Sequence, residues 1–223
     1  MLTLRPTDAL LVIDMQTDFL PGGPLAVPDG DAIIPGINAL ARKFDHVLLT
    51  ADWHPGGHVS FASTHGMAPF TDTVEVPYGT QALWPDHCLQ GTPGAEIAPA
   101  LDIPHAELLL RKGFRREIDS YSAFVENDKH TRTGLAGYLR ERELHRLFFV
   151  GLAFDFCVGF SALDAHRLGF EPVVLEDLTR AVSLPASGTK PGSVEHTKTM
   201  FGQHDIRSCT SENISGKRAG RQA

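Results

Sequence analysis

Leu147 to Val150 are four consecutive apolar residues that follow soon after the charged run Glu141, Arg142 and Glu143. An unbroken apolar run of that length reads as a strand buried on both faces, the hallmark of a parallel sheet covered by helices on either side. From Val158 the spacing changes: Val158, Ala162, Ala165 and Leu168 recur at helical intervals, and Gly169 supplies a stop. Cys157 therefore falls where strand turns into helix, beside the unpaired N–H groups and positive dipole end of a first helical turn. Such a place favours the reactive thiolate. A small buried hydrophobe is the other reading of a free cysteine, and this stretch alone leaves both open.

The same grammar recurs along the chain. Ala9 to Ile13 is an apolar run ending at Asp14, His46 to Thr50 leads into Ala51 and Asp52, and Glu107 to Leu110 is followed by Arg111, Lys112 and Gly113. Glu171 to Leu175 reads as a fifth strand, ending at Glu176 and Asp177, which suit a hydrogen-bonded turn or a surface ion pair. Between the strands, Asp31 can cap a helix with Ile33, Ile34, Ile37, Leu40, Ala41 and Phe44 on one face. Gly134 to Glu143 makes a short amphipathic helix, with a further helix over Ser193 to Phe201 and a weak strand near Asp205 to Ser208. Strands alternating with helices give an α/β fold, an open parallel sheet with helices on both faces. In such a sheet the carboxyl ends of the strands share one edge, so Asp14, Asp52, Lys112 and Cys157 converge on one crevice. Taken singly, an aspartate can cap a loop and a lysine can be a solvated charge. A cysteine beside an acid and a lysine is a nucleophile with a proton acceptor and an anion-stabilising charge.

Asp52 and His54 are two apart on extended chain, so their side chains leave the same face and can meet one ion. A nitrogen and oxygen donor set suits zinc, iron or manganese more than calcium. From about residue 52 to 94 long elements are absent, and an insertion of that length carrying aromatics and histidines points to function.

With 223 residues, 42% apolar and 21% charged, the chain can bury one substantial core, expected over 1–210, with a disordered polar tail over 211–223. A net charge of −7 argues against nucleic acid or an anionic membrane as partner. No window has the length of a membrane span and no signal-peptide pattern opens the chain, so a cytoplasmic protein is expected. Cys88, Cys157 and Cys209 are an odd set that argues against a disulfide framework. Base rates for soluble enzymes favour a homo-oligomer. No phosphate-cradling glycine motif is present.

DMQTDF at Asp14 to Phe19, DWHPGGHVSF at Asp52 to Phe61, WPDHC at Trp84 to Cys88, KG at Lys112 and Gly113, and GLAFDFCV at Gly151 to Val158 together resemble the nicotinamidase branch of the isochorismatase-like cysteine hydrolase family. The resemblance spans about Ala9 to Arg180 and implies a Rossmann-like three-layer α/β/α fold. It implies Cys157 as nucleophile, Asp14 as general base and Lys112 as the third catalytic residue, acting on nicotinamide in NAD salvage and accepting pyrazinamide. Asp52, His54 and His87 correspond to metal ligands for one divalent ion, zinc foremost with iron or manganese as alternatives; His58 is a further ligand in some members. A cis peptide at Leu152-Ala153 is implied, with the N–H groups of Ala153 and Cys157 as an oxyanion hole. Phe19, Trp84 and Tyr121 correspond to an aromatic wall around the pyridine ring. Two alternatives stay open: an N-carbamoyl or ureido amidohydrolase of the same superfamily, whose members generally lack the Asp52, His54 and His87 set, and a catalytically idle protein that binds a pyridine or a metal.

Overall fold

The computed structural model describes residues 1–216. In chain order the strands are β1 (Leu2–Thr3), β2 (Asp8–Ile13), β3 (His46–Asp52), β4 (Thr73–Val76), β5 (Gly79–Ala82), β6 (Leu108–Lys112), β7 (Arg146–Leu152), β8 (Glu171–Arg180), β9 (Arg207–Cys209) and β10 (Ile214–Ser215). The helices are α1 (Ile34–Ala41), α2 (Ala62–His65), α3 (Leu135–Glu141), α4 (Gly159–Arg167) and α5 (Ser193–Gln203). Six strands form one parallel sheet in the order β6, β3, β2, β7, β8, β9. The winding runs outward from β2 through β3 to β6 on one side and from β7 through β8 to β9 on the other. It reverses between β2 and β7, and the crevice beyond such a reversal is where open α/β sheets hold ligands.

Successive residues of a strand face opposite ways, which sorts the apolar runs into two cores. Leu10 and Val12 of β2, with Phe148 and Val150 of β7, pack against Ile34, Ile37 and Leu40 of α1. Their neighbours Leu11, Ile13, Leu147 and Phe149 face Leu135 and Leu139 of α3, Ala162 and Ala165 of α4, and Phe201 of α5. The three-layer α/β/α arrangement follows directly. At the amino ends of β2 and β7, buried Asp8 receives the Arg146 guanidinium, with Nε donating to Oδ1 at 2.9 Å. No described helix is long and apolar enough to cross a membrane.

Several local expectations give way to the fold. Asp31 opens a short 3-10 turn, Asp31–Ile33, and makes no side-chain cap, because Gly30 and Ile33 hold the cap positions before the turn and before α1. β8 runs through Glu176 and Asp177 to Arg180 instead of stopping there. Asp177 accepts hydrogen bonds from the Ser211 N–H at 2.8 Å and the Ser211 hydroxyl at 2.5 Å. Within the tail expected from residue 211, Ser211–Asn213 instead form a 3-10 turn, and β10 pairs in parallel with β1. Its remainder, 217–223, lies outside the described residues. The insertion holds α2 and an antiparallel β4–β5 hairpin, elements too short to register in the apolar pattern.

One glycine is demanded by the switch point. Gly151 sits at φ +103°, and a Cβ there would lie 2.2 Å from the Ile13 carbonyl oxygen of the paired strand. Gly151→Ala should lower the unfolding free energy by about 2–4 kcal/mol, combining backbone strain with overpacking. Urea denaturation reads this directly, and a loss within about 0.5 kcal/mol, the range of a neutral surface change, would contradict it.

Candidate active site

A lysine at a strand end is ordinarily solvated, but Lys112 is fully buried. Register explains its company: as the last residue of β6 it pairs with Asp52, the last residue of β3. Its ammonium donates to Asp52 Oδ1 at 2.5 Å, to the Ser120 carbonyl at 2.9 Å and to Cys157 Sγ at 3.4 Å, and lies 2.8 Å from Asp14 Oδ2. Burial opposes the charge, but Asp14 and Asp52 outweigh it and hold the lysine pKa well above its usual value. Burial likewise opposes ionisation of Asp52, and Lys112, then His54, overcome it, so that carboxyl lies well below the usual carboxylate range.

Asp14 follows β2 in the left-handed region, φ 45°, which aspartate tolerates better than most residues. Thr50 fixes it twice, donating to Oδ1 at 2.5 Å and accepting the Asp14 N–H at 3.1 Å. Oδ2 makes the ion-pair contact with Lys112 in full burial. Its pKa is raised, by burial foremost, with Lys112 pulling the other way. Ligand atoms of Asp14, Asp52 and Cys157 lie within 4.8 Å of one another.

The turn after β7 differs from the simple strand-to-helix junction expected from the spacing. Phe154–Val158 form a π-helical turn, entered through a cis Leu152-Ala153 peptide, and α4 begins at Gly159. Cys157 thus lies inside the π turn and is buried. Burial pushes its thiol pKa well above the ordinary value; Lys112 lowers it, while Asp14 and Asp52 raise it further. These groups work against the resting thiolate expected from the helix start. Desolvation and two carboxylates outweigh one lysine and a helix end.

Asp52 has a second face. Its Oδ2 is 3.7 Å from His54 Nε2 and 3.9 Å from His87 Nε2, and the three donor atoms form one buried group. His54 Nδ1 lies 2.8 Å from the Gly113 carbonyl, and His87 Nδ1 lies 2.8 Å from the Pro85 carbonyl. Each carbonyl accepts the proton on Nδ1, which turns both Nε2 atoms toward Asp52 Oδ2, the way histidine ligands are commonly oriented; burial opposes a charge on His54, but Asp52 outweighs it and raises that pKa. The residues fit a divalent cation. Burial first, and His54 next, push the His87 pKa down to about 4, so that nitrogen is a free donor at neutral pH. His58 stacks 4.2 Å from His54 but is turned elsewhere. Its Nδ1 accepts the Ser60 N–H at 3.4 Å and the Ser60 hydroxyl at 2.7 Å, while Nε2 donates to the Ile118 carbonyl at 3.3 Å. With His54 and Asp119 it makes a second, adjoining donor group.

These groups border a pocket walled by Phe19, Trp84 and Tyr121 and also lined by Ala153, Cys157, Asp52 and His87. Residues that sequence reasoning passed over hold it in shape. Phe156 packs edge-on to Trp84 at 4.9 Å. Gln81, from the β4–β5 hairpin, donates to Asp119 Oδ2 at 2.8 Å and to the Tyr121 hydroxyl at 3.2 Å, which also receives Trp84 Nε1 at 3.0 Å. Gln16 grips the Asp52 backbone from both sides, accepting its N–H at 2.7 Å and donating to its carbonyl at 2.8 Å. Polar side chains in loops read alike in sequence, and only the position of Gln16 two residues after Asp14 offered a signal.

Fold and site together define an α/β protein with a buried aspartate, lysine and cysteine at the winding reversal of its sheet, beside a histidine and carboxylate cation site. Residues 8–202 match the isochorismatase domain, and the chain belongs to that family. A nicotinamidase of Acinetobacter baylyi is 50% identical over 207 residues, covering 92% of this chain and 94% of its own. An L. infantum structure in complex with nicotinate shares 38% identity at a TM-score of 0.82, over 96% of this chain and 98% of that one. The pyrazinamidase of Pyrococcus horikoshii, solved in complex with zinc, shares 32% identity at a TM-score of 0.73, over 92% and 99%.

Gly113 offers a test of the cation cluster. It sits at φ +65°, and a Cβ there would lie 2.4 Å from His54 Cε1. Gly113→Ala should displace the ring and weaken zinc binding about 10–100-fold, as loss of a ligand's supporting contact does. Calorimetric titration of the chelator-treated protein reads it, and unchanged affinity would remove His54 from the cation's shell.

The thiol offers another. In chelator-treated protein, iodoacetamide alkylation of Cys157 should still be climbing at pH 9, because the pKa is raised. A plateau near neutrality would restore the thiolate reading.

Proposed function

We propose that this protein hydrolyses nicotinamide to nicotinate and ammonia through a thioester on Cys157. The observation that carries the reading is the convergence of Cys157, Lys112 and Asp14 Oδ2 beside an aromatic-walled pocket that also contains Asp52 and His87. Relatives and structures named nicotinamidase or pyrazinamidase support the substrate class. The Asp52, His54 and His87 group favours it over an N-carbamoyl amide, and pyrazinamide presents the same ring nitrogen and carboxamide.

The thiol attacks the carboxamide carbon while its proton passes to Asp14 Oδ2, and the carbonyl electron pair moves to an oxyanion held by the N–H groups of Ala153 and Cys157. The C–N bond then breaks as Asp14 returns that proton to the leaving nitrogen. Ammonia departs and a thioester remains. Asp14 next takes a proton from water as its oxygen attacks the thioester; the C–S bond breaks, sulfur recovers a proton and nicotinate leaves. Lys112 stays charged throughout and lowers the cost of the anionic states. Phe19, Trp84 and Tyr121 hold the flat ring so that carbon and sulfur meet. When bound by Asp52, His54 and His87, a divalent cation supplies a Lewis acid for the ring nitrogen; zinc is the ion favoured, with iron or manganese also suited to these donors. A free thiol suits a reducing cytoplasm.

Ammonia release from nicotinamide should fall on chelation and recover when zinc is restored. Cys157→Ala should lower turnover about 10⁴-fold or more while nicotinamide binding persists. A variant retaining most of its activity would remove Cys157 as nucleophile, and release from N-carbamoyl substrates alone would transfer the site to the ureido class.

A further inference from the structure

Asp155 stands between Phe154 and Phe156 in the turn that carries the thiol, yet its carboxylate is not among the groups lining the pocket. It is buried. Oδ1 accepts the Val182 N–H at 3.0 Å, and Oδ2 accepts the Ser183 N–H at 2.8 Å and the Ser193 hydroxyl at 2.6 Å. All three donors belong to the segment that leaves β8 and enters α5. The Ser193 hydroxyl also accepts the Leu184 N–H at 2.8 Å, and the Ser193 N–H donates to the Leu184 carbonyl at 3.0 Å. Both ends of the Leu184–Ser193 loop are thereby tied together at the carboxylate, in the manner of an Ω-loop.

The segment matters because Val182 lines the pocket together with Ala153, Phe156 and Cys157. One side chain thus fixes two walls at once: the π turn with the sulfur, and the segment that carries Val182. Charge-assisted bonds to a carboxylate are the strong ones, and a strand of loop without helix or sheet partners depends on them. Thr197, one helical turn beyond Ser193, makes a different contact, its hydroxyl lying 3.4 Å from the Asp155 main-chain carbonyl. It ties α5 to the turn without touching the carboxylate.

We propose that Asp155 is a positioning residue, a latch that holds the Val182 wall against the nucleophile turn and so sets how tightly the substrate is enclosed, with Ser193 as its keeper. The inference rests on the reading of this pocket as the amide site.

Ser193→Ala removes one bond to the carboxylate and leaves the pocket lining untouched. It should raise KM for nicotinamide about tenfold with kcat changed less than about threefold, the pattern of lost uniform binding. Alkylation of Cys157 by iodoacetamide, which needs no substrate, should accelerate several-fold, and amide hydrogen exchange at Val182 and Ser183 should quicken with it. Ser193→Thr, which keeps the hydroxyl, should restore all three. Thr197→Val should lower the melting temperature without moving KM or alkylation. If Ser193→Ala lowers only the melting temperature, or lowers kcat at constant KM, the latch is overturned. It is equally overturned if Thr197→Val opens the thiol as far as Ser193→Ala does. Faster alkylation in a protein that does not turn over nicotinamide would sink the amide reading and leave the latch standing.

Discussion

The ammonium of Lys112 has four neighbours from four parts of the chain: Asp14 after β2, Asp52 at the end of β3, the Ser120 carbonyl in the loop after β6, and Cys157 in the π turn. A lone charge at full burial is prohibitively costly, and here it persists because two carboxylates and two further acceptors surround it. Three of those groups are in turn fixed from elsewhere: Asp14 by Thr50, Asp52 by Gln16, and the cysteine turn by the Val182 N–H on Asp155. Removing the lysine would leave two buried anions facing each other. The site is therefore one electrostatic unit more than an assembly of independent residues.

Asp52 joins that unit to the second half of the site. One of its oxygens serves the ammonium and the other faces two imidazoles whose tautomers are fixed by main-chain carbonyls. A cation held on the outer oxygen and the lysine on the inner one share a single carboxylate, so charge added at the ligand end is felt at the nucleophile end within a few ångströms.

Much of this was legible in the chain. The parallel sheet was readable because β2, β3 and β7 are buried along nearly their whole length, which forbids polar interruptions. Asp14, Asp52, Lys112 and Cys157 stood out because a polar group just after an apolar run is conspicuous. The hairpin that delivers Gln81 was hidden, since β4 and β5 are short, largely exposed strands without an apolar face. Asp155 was hidden for another reason: its partners Val182, Ser183 and Ser193 are 27 to 38 residues away, and no local spacing records such a meeting. The upward pull on the Cys157 pKa was hidden because a helix start is visible in sequence whereas depth of burial and the carboxylates around the sulfur are not.

Among the described residues β6 is the outermost strand on its side of the sheet, paired only with β3, and Leu109 within it is 46% exposed. Outer strands are the part of a sheet that frays first. Here the fraying strand carries the buried lysine, so the ion cluster works as the fastener of the sheet's margin, and peeling that margin strips two carboxylates of their counter-charge. Local opening of β6 and dismantling of the site are one event. The resilience of this centre under heat or denaturant is accordingly a property of the rim of the sheet, to be found in the exchange of the β6 amides and not in the melting of the central core.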